Sequence, residues 1–281
     1  MKRAERLVGW LFMAVIINLC LGCAGAQKGF VAAEEFAKSP PAVNYDKLNV
    51  PEISLEGASL EHFFIVSNPA QVPLAVQKVA YKYTFLGNVI AETEKTLNLS
   101  VPAEGKAEFL IAQRIDFPKE YEPLKELCAK KDGTFDISGT IFTQAGEFPI
   151  DVEGDILLPS IPYLKIDNAS ISKDSADQMS MGFELITAND NPFNVFVSAI
   201  KYELYIEGKV VKKDKILIEE MLSSPGKLYN VNAYLIPDNL GKETLKKIYA
   251  SPQLNYRLVA EFKLKHFTVP VDISGTYNFA K

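Results

Sequence analysis

Histidine and cysteine are scarce in this chain, with two of the first and three of the second among 281 residues. A metal centre built from imidazole and thiolate needs three or four ligands at set spacings, and no such cluster stands here. Acyl-transfer catalysis needs a nucleophile with a base beside it. His62 and His266 fall at unrelated places and read as strand or rim residues. No glycine-rich phosphate loop is present; Gly133 and Gly226 stand singly where turns are expected. Basic runs are missing as well. The net charge is −5, and loss of a leader carrying Lys2, Arg3 and Arg6 against Glu5 takes it to −7. Such a chain repels nucleic-acid phosphates. These absences lead us to expect a protein that is not an enzyme, with no catalytic residues, metal, cofactor or nucleic-acid partner.

The one extended apolar run is near the N-terminus. Lys2, Arg3 and Arg6 precede LVGWLFMAVIINLCL, residues 7–21. That is signal-peptide length, short of the roughly 20 residues of a membrane span. It ends in Leu21-Gly22-Cys23-Ala24-Gly25, which resembles a bacterial lipobox, although Cys20 stands where such a motif usually has leucine. The expectation is a signal peptide over 1–22 and lipidation at Cys23, with a plain secretory leader or an uncleaved anchor as the alternatives. Ala24 after the cysteine favours, by the same resemblance, the outer membrane facing the periplasm. Once Cys20 leaves and Cys23 is alkylated, Cys128 is alone, so no internal disulfide can form. Beside Leu124 and Leu127 it reads as a buried small hydrophobe. Residues 23–47, small and polar with Pro40-Pro41, read as a flexible tether.

Beyond the tether the sequence repeats itself. Tyr81 and Gly87 recur as Tyr202 and Gly208, and Pro149-Ile150-Asp151 as Pro270-Val271-Asp272, all at an offset of 121. Asn68-Pro69 matches Asn191-Pro192 at 123, which implies a short indel. Ordered matches at one period mark an internal duplication. Each copy alternates apolar and polar residues, as in Ile200, Tyr202, Leu204 and Ile206 against Lys201, Glu203 and Glu207. Period two with a polar outer face predicts half-buried antiparallel strands, with Gly87 and Gly208 in hairpin turns. One helix per copy is expected, over 119–130 after Pro118 and 239–249 after Pro237. The predicted fold is mainly β: two tandem immunoglobulin/fibronectin-III-like antiparallel β-sandwich domains of about seven strands, each with one short helix. The boundaries fall at 48–158 and 159–281.

Asn-Pro before a strand of the type Ile200-Lys201-Tyr202-Glu203-Leu204-Tyr205, a glycine turn and a later Pro-x-Asp strand together resemble the late-embryogenesis-abundant group 2 family, the water-stress and hypersensitive-response domain. Asn189-Asp190-Asn191-Pro192-Phe193 carries the closer match, and Ser67-Asn68-Pro69-Ala70 lacks the aromatic residue. The resemblance implies a β-sandwich tied to stress tolerance, found in bacteria as envelope lipoproteins, without catalysis or cofactor. The residues themselves give Asn68, Pro69, Asn191 and Pro192 a structural role as turns, not binding sites. An Asn side chain bonds its own downstream backbone while Pro ends ladder donation.

The functional expectation is a non-catalytic envelope lipoprotein, held to the membrane by its lipid anchor. It serves as an interaction or protective module toward another envelope protein. The alternative is a periplasmic carrier or sensor of an apolar ligand such as a lipid, which would show itself by an apolar cavity.

Overall fold

A computed structural model describes residues 33–173 and 178–279. The chain is mostly antiparallel β-strand with a few short helices, arranged as two β-sandwiches. In the first, a three-stranded sheet, β1 (Ala42–Ile53), β2 (Gly57–Asn68) and β5 (Gly105–Asp116), faces a four-stranded one. The latter runs β4 (Asn88–Val101), β3 (Leu74–Phe85), β6 (Asp132–Thr143), β7 (Gly146–Leu157). The second repeats the order: β8 (Tyr163–Lys173), β9 (Met179–Ala188) and β12 (Gly226–Leu235) against β11 (Lys209–Leu222), β10 (Val195–Ile206), β13 (Gln253–Leu264) and β14 (Thr268–Asn278). In both copies the fourth strand joins the sheet of the third, whereas the constant-type immunoglobulin fold puts it with the first.

By compactness the chain divides into two units. One holds the described residues up to Pro51 with Ser59–Ile115 and Thr134–Ile156; the other holds Glu52–Ala58, Asp116–Gly133 and the chain from Leu157 on.

The duplication extends to backbone irregularities. Leu86-Gly87 and Glu207-Gly208 form two-residue hairpin loops with all four φ angles positive, between 47° and 77°. That is the type I′ turn whose twist suits a hairpin. Leu86 and Glu207 accept this conformation because their N–H groups are tied to the next strand, at Thr134 O (2.8 Å) and Asn255 O (3.0 Å). Bulges interrupt the β3–β4 pairing after Val76 and after Tyr83, and the β10–β11 pairing after Val197 and after Leu204. Asn98 and Glu219, both at φ 47°, sit in the first of these.

The inward residues of each sandwich are closed over one another. Phe64, Val79, Tyr83, Ile111 and Ile137 fill the first, and Met181, Leu185, Ile200, Leu204 and Phe262 the second. His62 lies wholly inside the first core, edge-on to Phe135 at 4.7 Å, with Nε2 3.1 Å from the Tyr83 hydroxyl and Nδ1 3.3 Å from that of Tyr45. In the second copy Phe183 stands edge-on to Tyr256 in the same place, at 5.1 Å.

Burial lowers the His62 imidazole from 6.5 to about 4. The unfolded chain therefore binds the extra proton between these values, and the stability contributed by a neutral His62 is present above pH 6.5 and is lost as pH drops toward 4. At 1.36 kcal/mol per unit the loss approaches about 3 kcal/mol. His62→Phe, which copies Phe183, is expected to flatten this part of the curve of urea midpoint against pH. A variant as pH-dependent as the parent would assign the effect to carboxylates instead.

Three expectations differ from the structure. The stretch 23–47 is not a tether throughout: residues 33–38 are helical with Phe36 buried, and β1 begins at Ala42. Pro40-Pro41 separates the two, and the Tyr45 ring lies edge-on to Phe64 at 5.4 Å, which draws the strand onto the sandwich. The first copy's helix is shorter than 119–130, at α1 (Tyr121–Cys128), with Leu124 and Cys128 buried. The second copy's helix is broken in two, α2 (Pro237–Leu240) and α3 (Lys242–Ala250), because Gly241 between them takes φ +82° and ψ 146°, outside the helical region. The leader and Cys23 lie outside the described residues.

Candidate functional site

Asn68 ends β2 with its side chain buried. Its Nδ2 donates to Val72 O (2.8 Å) and Pro102 O (2.9 Å), and its Oδ1 accepts from Ala70 N (3.3 Å). The residue that repeats this is Asn189, donating to Phe193 O (2.8 Å) and Leu222 O (2.9 Å) and accepting from Asn191 N (3.2 Å). Asn189 stands 121 residues after Asn68, so the early blocks keep the common offset and no indel separates them. Pairing Asn68 with Asn191 is thereby corrected: the job belongs to the residue where the strand gives way to the turn, Asn68 at the end of β2 and Asn189 just after β9, where the side chain reaches both the turn and the end of a strand in the other sheet. Asn191 has a different task. It donates to Ser160 O (2.8 Å) and accepts from Ser160 N (2.7 Å), fixing the approach to β8. Pro69 and Pro192, each exposed, follow as turn residues.

The chemistry-bearing side chains are not gathered. Among the described residues no three of His, Cys, Asp and Glu converge as metal ligands, and no helix is long and apolar enough to cross a membrane. Burial pushes the Cys128 thiol up to about 11, which keeps it protonated and unreactive. His62 is enclosed and His266 is exposed in the β13–β14 turn.

What the second unit does possess is an apolar cleft of about 500 Å³, all of whose residues belong to that unit. Phe193, Phe196, Met221, Leu264 and Phe267 line it, together with Leu55 and Pro118. Three local structures hold these side chains. Phe196 faces Met221 in the β10–β11 register. The turn after β13 is pinned by Leu264 N donating to Phe267 O at 3.0 Å. The segment bearing Leu55 is a tight turn in which Ser54 N donates to Gly57 O and Glu56 N to Ser54 Oγ.

At the rim, Glu56 lies 3.1 Å from Lys265 Nζ and 2.7 Å from His266 Nε2. The hydrogen bond from Lys265, with further help from His266, outweighs a small burial effect and holds the Glu56 carboxyl below its ordinary range.

The first copy serves as an internal control for this surface. At the offset of 121, Phe196, Met221, Leu264 and Phe267 correspond to Ala75, Ser100, Thr143 and Gly146, and Lys265-His266 to Gln144-Ala145. The shared backbone therefore does not require large apolar residues here. The second copy's large side chains line the cleft together with Leu55 and Pro118, which come from the first part of the sequence. The cleft volume falls within the ~300–1,000 Å³ of small-molecule sites.

These features define a class of two-sandwich protein with an apolar cleft on its second unit. No known family's sequence pattern matches the chain, and no curated protein matches it. Among solved structures, a protein from Archaeoglobus fulgidus is similar at 12% identity and TM-score 0.29, over 42% of this chain and all of that one. A protein from Arabidopsis thaliana is similar at 19% identity and TM-score 0.32, over 44% of this chain and 84% of that one. An exo-chitosanase from Amycolatopsis orientalis is similar at 13% identity and TM-score 0.24, over 80% of this chain and 26% of that one. At TM-scores this low none of the three informs the function.

Proposed function

We propose that this is a non-catalytic, lipid-anchored protein of the bacterial cell envelope that holds an apolar ligand in the cleft of its second unit. The observation that carries the reading is that Phe196, Met221 and Phe267 stand where the first copy has Ala75, Ser100 and Gly146, around a cleft large enough for a ligand. Closed sandwich cores direct the ligand to this cleft and away from the space between sheets. Met221, 55% exposed, supplies a flexible, polarizable wall that adapts to its contents. The lipid anchor rests on Cys23 within Leu21-Gly22-Cys23-Ala24.

Native mass spectrometry of the protein purified from a bacterial envelope is expected to show a reproducible extra mass of lipid size. Asn194→Trp, which places an indole at an exposed position lining the cleft, should remove that mass while leaving the circular dichroism unchanged. A bare parent protein would count against the carrier reading. It would leave the interaction or protective module in front, a reading favoured by Leu217 on β11, which is 64% exposed. An exposed apolar residue on an edge strand suits pairing with another protein.

A further inference from the structure

The cleft is apolar inside but not neutral at its mouth. Lys119, Lys265, His266 and Glu56 all line it. Glu56 is the one carboxylate among the lining residues, and it is engaged by Lys265 and His266. Lys119 has no ion-pair or hydrogen-bond partner among the described residues. With two ammonium groups set against one carboxylate, the mouth carries an excess positive charge even when His266 is neutral. It does so in a chain whose net charge is −5. Lys265 and His266 stand where the first copy has Gln144 and Ala145, and Lys119 adds the unbalanced charge.

From this, and resting on the reading of the cleft as a ligand site, we infer that the ligand is a long-chain carboxylate, its acyl tail along Phe196, Met221, Leu264 and Phe267 and its head group held at the mouth by Lys119 and Lys265. A tail alone would be served by the walls. An anionic head gives the lysines at the mouth a partner, because an ammonium beside an apolar surface gains from a charge-assisted hydrogen bond to a carboxylate. A single chain fits a cleft of about 500 Å³ with one polar rim.

The test is photo-crosslinking on the full chain in lipid nanodiscs, with a diazirine-bearing hexadecanoic acid and the matching hexadecanol as probes, mapped by peptide mass spectrometry. The acid is expected to label cleft peptides about tenfold more than the alcohol, the ratio that about 1.4 kcal/mol of head-group recognition gives. Lys119→Gln with Lys265→Gln should bring that ratio toward one without lowering the labelling by the alcohol. Phe196→Ala, Met221→Ser and Phe267→Gly together, which restore the first copy's residues, should abolish labelling of the cleft by both probes. Equal labelling by acid and alcohol would overturn the carboxylate and keep the apolar site. No labelling of the cleft by either would overturn both. An acid preference that survives the double lysine variant would remove the lysines from the role given to them.

Discussion

Asn189→Ala is expected to lower the unfolding free energy of the second sandwich by about 3 kcal/mol or more, a large share of what a domain has to lose. The side chain is fully buried and every polar capacity of its amide is used. Both Nδ2 protons go to carbonyls, those of Phe193 and Leu222, and Oδ1 takes both Asn191 N and Asn191 Nδ2. Alanine leaves these groups inside without partners, and each orphaned group costs about 1–3 kcal/mol. Asn68→Ala should do similar harm in the first sandwich, where Val72 O and Pro102 O lose their donor. Hydrogen exchange separates the two. The first variant should speed exchange around the β9–β10 turn and the end of β11, and the second around the β2–β3 turn. A loss under 1 kcal/mol in urea unfolding for Asn189→Ala would mean that the turn is held by packing and not by the amide.

Gly226→Ala should be nearly as damaging, again about 3 kcal/mol or more, for a steric reason. Gly226 pairs with Ala188 at φ +123°, and a Cβ there would stand 1.8 Å from the Thr187 carbonyl oxygen. A backbone atom cannot swing aside as a side chain does, so β12 must leave its place at the edge of β9. Gly208→Ala is the matched comparison. It too has a positive φ, +75°, but nothing lies within 4 Å of the added Cβ. Only the left-handed conformation is penalised, by about 1–2 kcal/mol. Equal losses for the two variants would show that conformation alone, without the clash, sets the cost.

The strands were legible because a period of two survives in single residues such as Ile200, Tyr202, Leu204 and Ile206. Two-residue hairpins announce themselves through glycine, as at Gly87 and Gly208. Helix ends were less legible: Lys119 and Glu120 have helix-compatible side chains, but whether they join α1 depends on the turn after Pro118. Gly226 reads as a turn residue and is a strand residue, since what singles it out is the Thr187 carbonyl, 39 positions earlier in the chain. The Asn189 equivalence was hidden by Pro192, which makes Asn191 look like the partner of Asn68. Only the hydrogen bonds tell which asparagine does the work. The cleft was the least legible part because its walls come from separated segments. A signal was present all the same. Comparing the copies at an offset of 121 shows large apolar residues replacing Ala75, Ser100 and Gly146 at strand ends, where a β-sandwich does not need them.

The aromatic group around His62 bears on how a duplicated chain keeps its halves apart during folding. Two adjacent copies with the same hairpins and the same bulges can exchange strands, since backbone geometry offers little to tell β3 from β10. Their inward side chains do tell. Tyr83 needs the His62 nitrogen 3.1 Å from its hydroxyl, and in the second copy the place of His62 is taken by Phe183. A β3 strand seated where β10 belongs would bring its phenol beside Phe183 in place of His62, while Leu204 seated in the first core would leave His62 Nε2 without the Tyr83 hydroxyl. Each intruding strand thus carries a penalty of about 1–3 kcal/mol that the proper strand does not. One buried polar contact, present in one copy and absent from the other, is expected to favour each strand in its own sandwich, and refolding of His62→Phe should then yield more misassembled chain than the parent does.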